Sequence, residues 1–176
     1  RRRDLNLEAG MRARWRWTGL VMISSAMCAT RLAAQSAADV CALATNEEFQ
    51  RAYGVDPRIG IIPDDPTPTE MVWGPHCDFS AGSMDLFTKK SPPAELDRVL
   101  ALTKAEKQRV PVSGLGQKAF FTVIYPDDQY RRAGLLAVFL GPKILTITMD
   151  AHQNKVASET RPGLETLAKL VVPRVK

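Results

Sequence analysis

Residues 118–150 read KAFFTVIYPDDQYRRAGLLAVFLGPKILTITMD, and the punctuation of this run decides the fold. Lys118–Tyr125 and Gly134–Leu140 are rich in aromatic, β-branched and aliphatic residues, and Pro126-Asp127-Asp128 stands between them as turn chemistry. Gly141-Pro142 then makes a tight link into Lys143–Asp150, where Leu145, Ile147 and Met149 alternate with Thr146, Thr148 and Asp150. Strands joined by links this short run antiparallel, because a parallel pair needs a crossover of about a dozen residues or more.

Upstream, Met71–Ser80 alternates in the same way. Trp73, Cys77 and Phe79 share one parity, and Val72, His76 and Asp78 share the other, while Gly74-Pro75 marks an edge position or a bulge. Met84–Thr88 pairs with it across Ala81-Gly82-Ser83. Three helices complete the chain. Asp39–Tyr53 has capping-box spacing at Thr45 and Glu48 and a terminal Gly54. Ser91-Pro92 opens a second helix with an inner stripe of Leu96, Val99, Leu100 and Thr103. The last carries Leu164, Leu167, Ala168 and Val171 and stops at Pro173. The expected fold is α+β, an antiparallel β-sheet with helices packed on one face, in the order α-β-β-α-β-β-β-α.

Residues 1–36 read as upstream residues and a secretory signal peptide, and 37–176 as a single exported α+β domain. From Met11 come Arg12, Arg14 and Arg16, an apolar stretch Thr18–Thr30, and small residues around Ala33–Ala38, with cleavage after Ser36 or Ala38. The apolar stretch is shorter than the roughly 20 residues that span a bilayer, and no later segment is longer, so no transmembrane span is expected in the mature chain. An acyl anchor at Cys28 is the alternative, although Ser25-Ala26-Met27 fits a lipobox poorly. Without the seven basic and two acidic residues of 1–36, the 24 basic and 19 acidic residues become 17 of each. That neutrality removes the basic surface expected of a nucleic-acid binder. Cys41 and Cys77 remain, and in an oxidising, exported compartment (periplasmic or extracellular) they read as a structural disulfide between the first helix and the first strand.

Cys41-Ala42-Leu43-Ala44-Thr45-Asn46-Glu47-Glu48, then Trp73 and Cys77 on a strand, then Val112-Ser113-Gly114-Leu115-Gly116-Gln117-Lys118-Ala119-Phe120 form a pattern over most of 39–173. It resembles the small exported or lipid-anchored bacterial envelope domains of unknown function that carry paired cysteines and a Gly-Leu-Gly-x-x-Ala-aromatic segment. The resemblance implies the fold and the disulfide, and no catalytic residues.

Candidate chemistry centres on two His-x-Asp or Asp-x-His pairs, His76 with Asp78 and Asp150 with His152. Period-2 geometry puts each pair on one face, opposite the apolar parity, where two His and two Asp can hold a divalent transition metal. Without that convergence no cofactor is expected. Gly114-Leu115-Gly116 lacks the third glycine of a dinucleotide loop and the Lys-Ser/Thr of a P-loop, so it reads as a turn into a strand. Pro63-Asp64-Asp65 and Pro126-Asp127-Asp128 read as turns, and Arg131-Arg132 beside Tyr130 as a solvated hairpin tip. No G-x-S-x-G elbow occurs. The expectation is a non-enzymatic envelope binding or interaction domain, with an unknown ligand or protein on the outer sheet face or the proline-rich loop 55–70. The alternative is a metal-binding protein or metal-dependent hydrolase using His76, Asp78, Asp150 and His152.

Overall fold

The structure, a computed structural model, describes residues 36–54, 65–88, 91–151 and 156–175. The leader with Cys28, most of the proline-rich loop and His152 lie outside the described residues. Helix α1 (Ala37–Cys41) is closed by a capping box between Ser36 and Asp39, and α2 (Asn46–Tyr53) by one between Thr45 and Glu48. Gly54 ends α2 in the left-handed conformation. The single helix expected over 39–53 is therefore two. The capping side chain of Thr45 starts a new helix after a short break.

Seven strands follow: β1 (Thr67–Met71), β2 (Gly74–Phe79), β3 (Gly82–Phe87), β4 (Val110–Val112), β5 (Lys118–Ile124), β6 (Ala133–Leu140) and β7 (Lys143–Asp150). They form one antiparallel sheet in the order β1-β2-β3-β7-β6-β5-β4. Helix α3 (Pro92–Leu102) lies between β3 and β4 in sequence, and α4 (Arg161–Val171) follows β7 after a 3-10 turn at Ala157–Thr160. The fold is thus α+β with an antiparallel sheet, as expected, but the element order gains a helix and two strands. Met71 ends β1, and the chain reverses through Val72-Trp73 before β2.

The helices do not share one face. Leu164, Leu167, Ala168 and Val171 of α4 pack with Val40 and Phe49 onto Phe121, Leu136, Leu145 and Ile147. Leu96 and Leu100 of α3 pack onto Phe87, Phe120, Ile124, Leu135 and Ile144, the residues of opposite parity. The cause is visible in β6, Ala133-Gly134-Leu135-Leu136-Ala137-Val138-Phe139-Leu140, which is apolar at every position. A strand without a polar face must be covered on both sides.

The α4 face is the more heavily tied. Cys41 and Cys77 form a disulfide with Cα atoms 5.2 Å apart, joining the end of α1 to β2. On α4, a Cβ at Gly163 would stand 2.0 Å from the Ala52 carbonyl oxygen of α2, so only glycine lets the two helices approach this closely. We expect Gly163→Ala to lower the unfolding free energy by about 1–3 kcal/mol, read from urea unfolding curves. Reducing the disulfide is expected to cost roughly 4 kcal/mol for the loop it closes, read as a lower guanidinium midpoint in the presence of reductant.

Candidate functional site

On the α3 face the sheet changes character toward β2. Register pairs His76 of β2 directly with Asp85 of β3, and Asp85 with Thr146 of β7. Asp78, Ser83 and Thr148 form the neighbouring cross-strand row. Among these, His76 and Asp85 are each only 8% exposed, so their charges must be compensated within the protein.

The compensation converges on Asp85. Its Oδ1 accepts hydrogen bonds from His76 Nδ1 (2.7 Å) and Trp73 Nε1 (3.0 Å), and its Oδ2 accepts one from Thr146 Oγ1 (3.0 Å). The other ring nitrogen of His76, Nε2, lies 2.9 Å from Asp78 Oδ1. Burial disfavours the imidazolium, but the hydrogen bond and charge of Asp85, joined by those of Asp78, outweigh it and raise the His76 pKa to about 9. At neutral pH both ring nitrogens therefore donate, one to each carboxylate.

This assembly corrects the reading of Trp73, which parity had placed with Cys77 and Phe79. The chain turns at Gly74, whose φ of +146° interrupts the alternation, and a Cβ there would lie 2.6 Å from the Leu86 carbonyl oxygen. Trp73 consequently reaches the opposite face, where its indole meets Asp85. Asp85 itself was not singled out from the sequence. Its signal was present: it is the lone charge within Met84-Asp85-Leu86-Phe87, a run otherwise apolar and buried.

A cavity of about 420 Å³ opens beside this network, bounded by the sheet, α3 and the turn after β5. Ile124, Ala133 and Leu135 form the apolar part of its sheet floor, and Ser83, Asp85, Thr148 and Asp150, beside them on the same sheet face, its polar side. Trp73, Tyr125 and Tyr130 supply aromatic surface. At the mouth, Leu102 and Tyr130 are two of the large hydrophobic side chains that remain exposed. Two non-glycine residues with positive φ, Lys104 (+49°) and Tyr125 (+50°), flank the junction where Tyr125 N donates to Thr103 O (2.8 Å). Left-handed backbone at a bulky residue is strained, and of the two Tyr125 lines the cavity.

Of the four expected metal ligands, the structure brings His76 and Asp78 into contact and puts Asp150 on the wall of the same cavity as His76. His152 lies outside the described residues. Among the described residues no group of three or more His, Cys, Asp or Glu could hold a metal ion. A metal also requires a neutral imidazole with a free lone pair, whereas both His76 nitrogens are engaged by carboxylates.

Gly114 and Gly116 have φ of +78° and +55° and turn the chain into β5, with Leu115 buried in the core. Asp128 Oδ1 accepts from the backbone nitrogens of Tyr130 (2.8 Å) and Arg131 (3.0 Å), so this aspartate is turn chemistry. The arginine pair is not merely a solvated tip. Arg131 lies over the Tyr125 ring at 4.7 Å on the cavity lining, and half-buried Arg132 donates to the Pro126 carbonyl.

Comparison with protein-family models, curated proteins and solved structures finds no match to this chain.

The raised His76 pKa has a definite sign. Its stabilisation is fully present below about pH 6.5 and is lost as pH rises through about 9. We expect His76→Gln to cost about 3 kcal/mol at pH 6, and the gap between variant and wild type to narrow toward pH 10. Chemical denaturation of both proteins across that range measures it.

Proposed function

We propose that this chain is an exported, non-enzymatic binding domain of the bacterial envelope, and that its ligand seats in the α3-face cavity. The observation that carries the reading is the cavity itself. Its volume falls within the range typical of small-molecule sites, and it combines an apolar floor with a few convergent polar groups. A buried network fixes its polar side in place, as a preorganised site requires.

Binding rather than turnover is favoured by how the reactive side chains are used. A general base needs a ring nitrogen free to take a proton, and both nitrogens of His76 are already held by Asp85 and Asp78. The Cys41 and Cys77 sulfurs are bonded to each other. That disulfide also suits an oxidising compartment, and among the described residues no helix is long and apolar enough to cross a membrane. The basic and then apolar leader supplies the export signal in this reading.

A thermal-shift screen of the full chain against small amphipathic molecules tests the proposal. Binders are expected to raise the melting temperature, and Ala133→Leu, which fills the cavity floor, is expected to abolish their effect. Binders that survive the filled floor, or hydrolysis of envelope esters, amides or glycans by the purified chain, would contradict it.

A further inference from the structure

The charges around this cavity balance. Its lining carries two carboxylates, Asp85 and Asp150, and two cations, Arg131 and the His76 imidazolium. Asp85 is bound by His76, Trp73 and Thr146, and Asp78 holds the far nitrogen of the same imidazole. Asp150 is likewise engaged. The Arg131 guanidinium lies over the Tyr125 ring at 4.7 Å and is exposed, so solvent ions screen its field. It also belongs to the turn between β5 and β6, on the far side of the apolar floor from β3. An ionic head that entered the polar side would find every carboxylate there already committed.

The polar side chains that remain unused on the sheet floor are hydroxyls. Ser83 and Thr148 are direct cross-strand neighbours on β3 and β7, both half-buried, and among the described residues neither makes a side-chain hydrogen bond. On its other side Thr148 pairs with Leu135 of β6, and in the next row Ala133 pairs with Ile124 of β5. The floor thus passes from two open hydroxyls to aliphatic side chains in one step across the sheet. A hydroxyl offers one donor and two acceptor sites and carries no charge. An uncharged group that both donates and accepts matches this pair, whereas an ion placed there is desolvated without a counter-charge.

We infer that the cavity takes an uncharged amphipath, an alcohol on a compact apolar or aromatic body. The ligand hydroxyl exchanges hydrogen bonds with Ser83 Oγ and Thr148 Oγ1, and the body lies over Leu135, Ala133 and Ile124. This inference rests on the cavity being a ligand site and deepens that reading by naming the ligand's chemistry.

Calorimetric titration of the full chain at pH 7 tests it with three probes that share a phenyl body and differ in charge: 2-phenylethanol, 2-phenylethylamine and 3-phenylpropanoate. The alcohol is expected to bind, and the ammonium and the carboxylate each to bind about tenfold more weakly or worse, because neither ion finds an uncommitted partner beside the floor. Removing both hydroxyls, Ser83→Ala with Thr148→Val, is expected to weaken the alcohol roughly three- to tenfold while the circular dichroism spectrum is retained. An unchanged alcohol affinity in that variant, or either ion binding as tightly as the alcohol, overturns the assignment and leaves the cavity a ligand site. A carboxylate that binds most tightly, and loses its affinity in Arg131→Ala, moves the head group to the arginine instead. Absence of binding by all three at millimolar concentration overturns both readings.

Discussion

A single buried carboxylate organises one half of this molecule. Asp85 draws Trp73 from the β1–β2 turn, His76 from β2 and Thr146 from β7, so one side chain ties a turn and three neighbouring strands together. Taking such a charge out of water costs several kcal/mol, and the cost is offset only where partners and hydrogen bonds are well placed. Here three donors meet it, one of them cationic at neutral pH. The arrangement spends little of its strength on packing and much on position. It fixes the polar side of the cavity while the opposite face of the same strands carries Cys77, Met84, Leu86 and Ile147 in the main core.

The sheet therefore has two unequal faces. One is closed by α1, α2 and α4 and tied by the Cys41–Cys77 bridge. The other is covered by α3 over Phe87, Phe120, Leu135 and Ile144, and the uncovered remainder is where polar side chains collect. The larger buried cluster lies on the first face, and the cavity opens on the second. Strained backbone at Lys104 and Tyr125, exposed Leu102 and Tyr130, and the buried ion pair all gather at that second face. Departures from local preference of this kind cluster at functional sites, which supports the proposal made for this cavity.

Much of the fold is legible in the chain before any coordinates. The expected Lys143–Asp150 coincides with β7, and Lys118–Tyr125 and Gly134–Leu140 differ from β5 and β6 by a residue, because Pro126-Asp127-Asp128 and Gly141-Pro142 punctuate apolar runs unmistakably. That both faces of the sheet are covered could be read from Gly134–Leu140, which has no polar parity, but the polar parity of β7 suggested a solvated face and the helices were expected on one side. Trp73 was misplaced because alternation presumes a continuous strand, and the reversal before Gly74 breaks it. At the site, the pairing of His76 with Asp78 follows from spacing within one strand. Its pairing with Asp85 depends on the register of the β2–β3 hairpin, which turns at Ser80-Ala81 and not across Ala81-Gly82-Ser83 as expected.

The protonation state of His76 is the most direct measure of this account. Nitrogen-15 NMR of the imidazole in the full chain reports the two ring positions separately. Nδ1 and Nε2 are both expected to carry protons at pH 7.5 and to titrate with a midpoint near 9. A neutral ring at pH 7.5 with a single protonated nitrogen and a midpoint near the ordinary value of about 6.5 would contradict it.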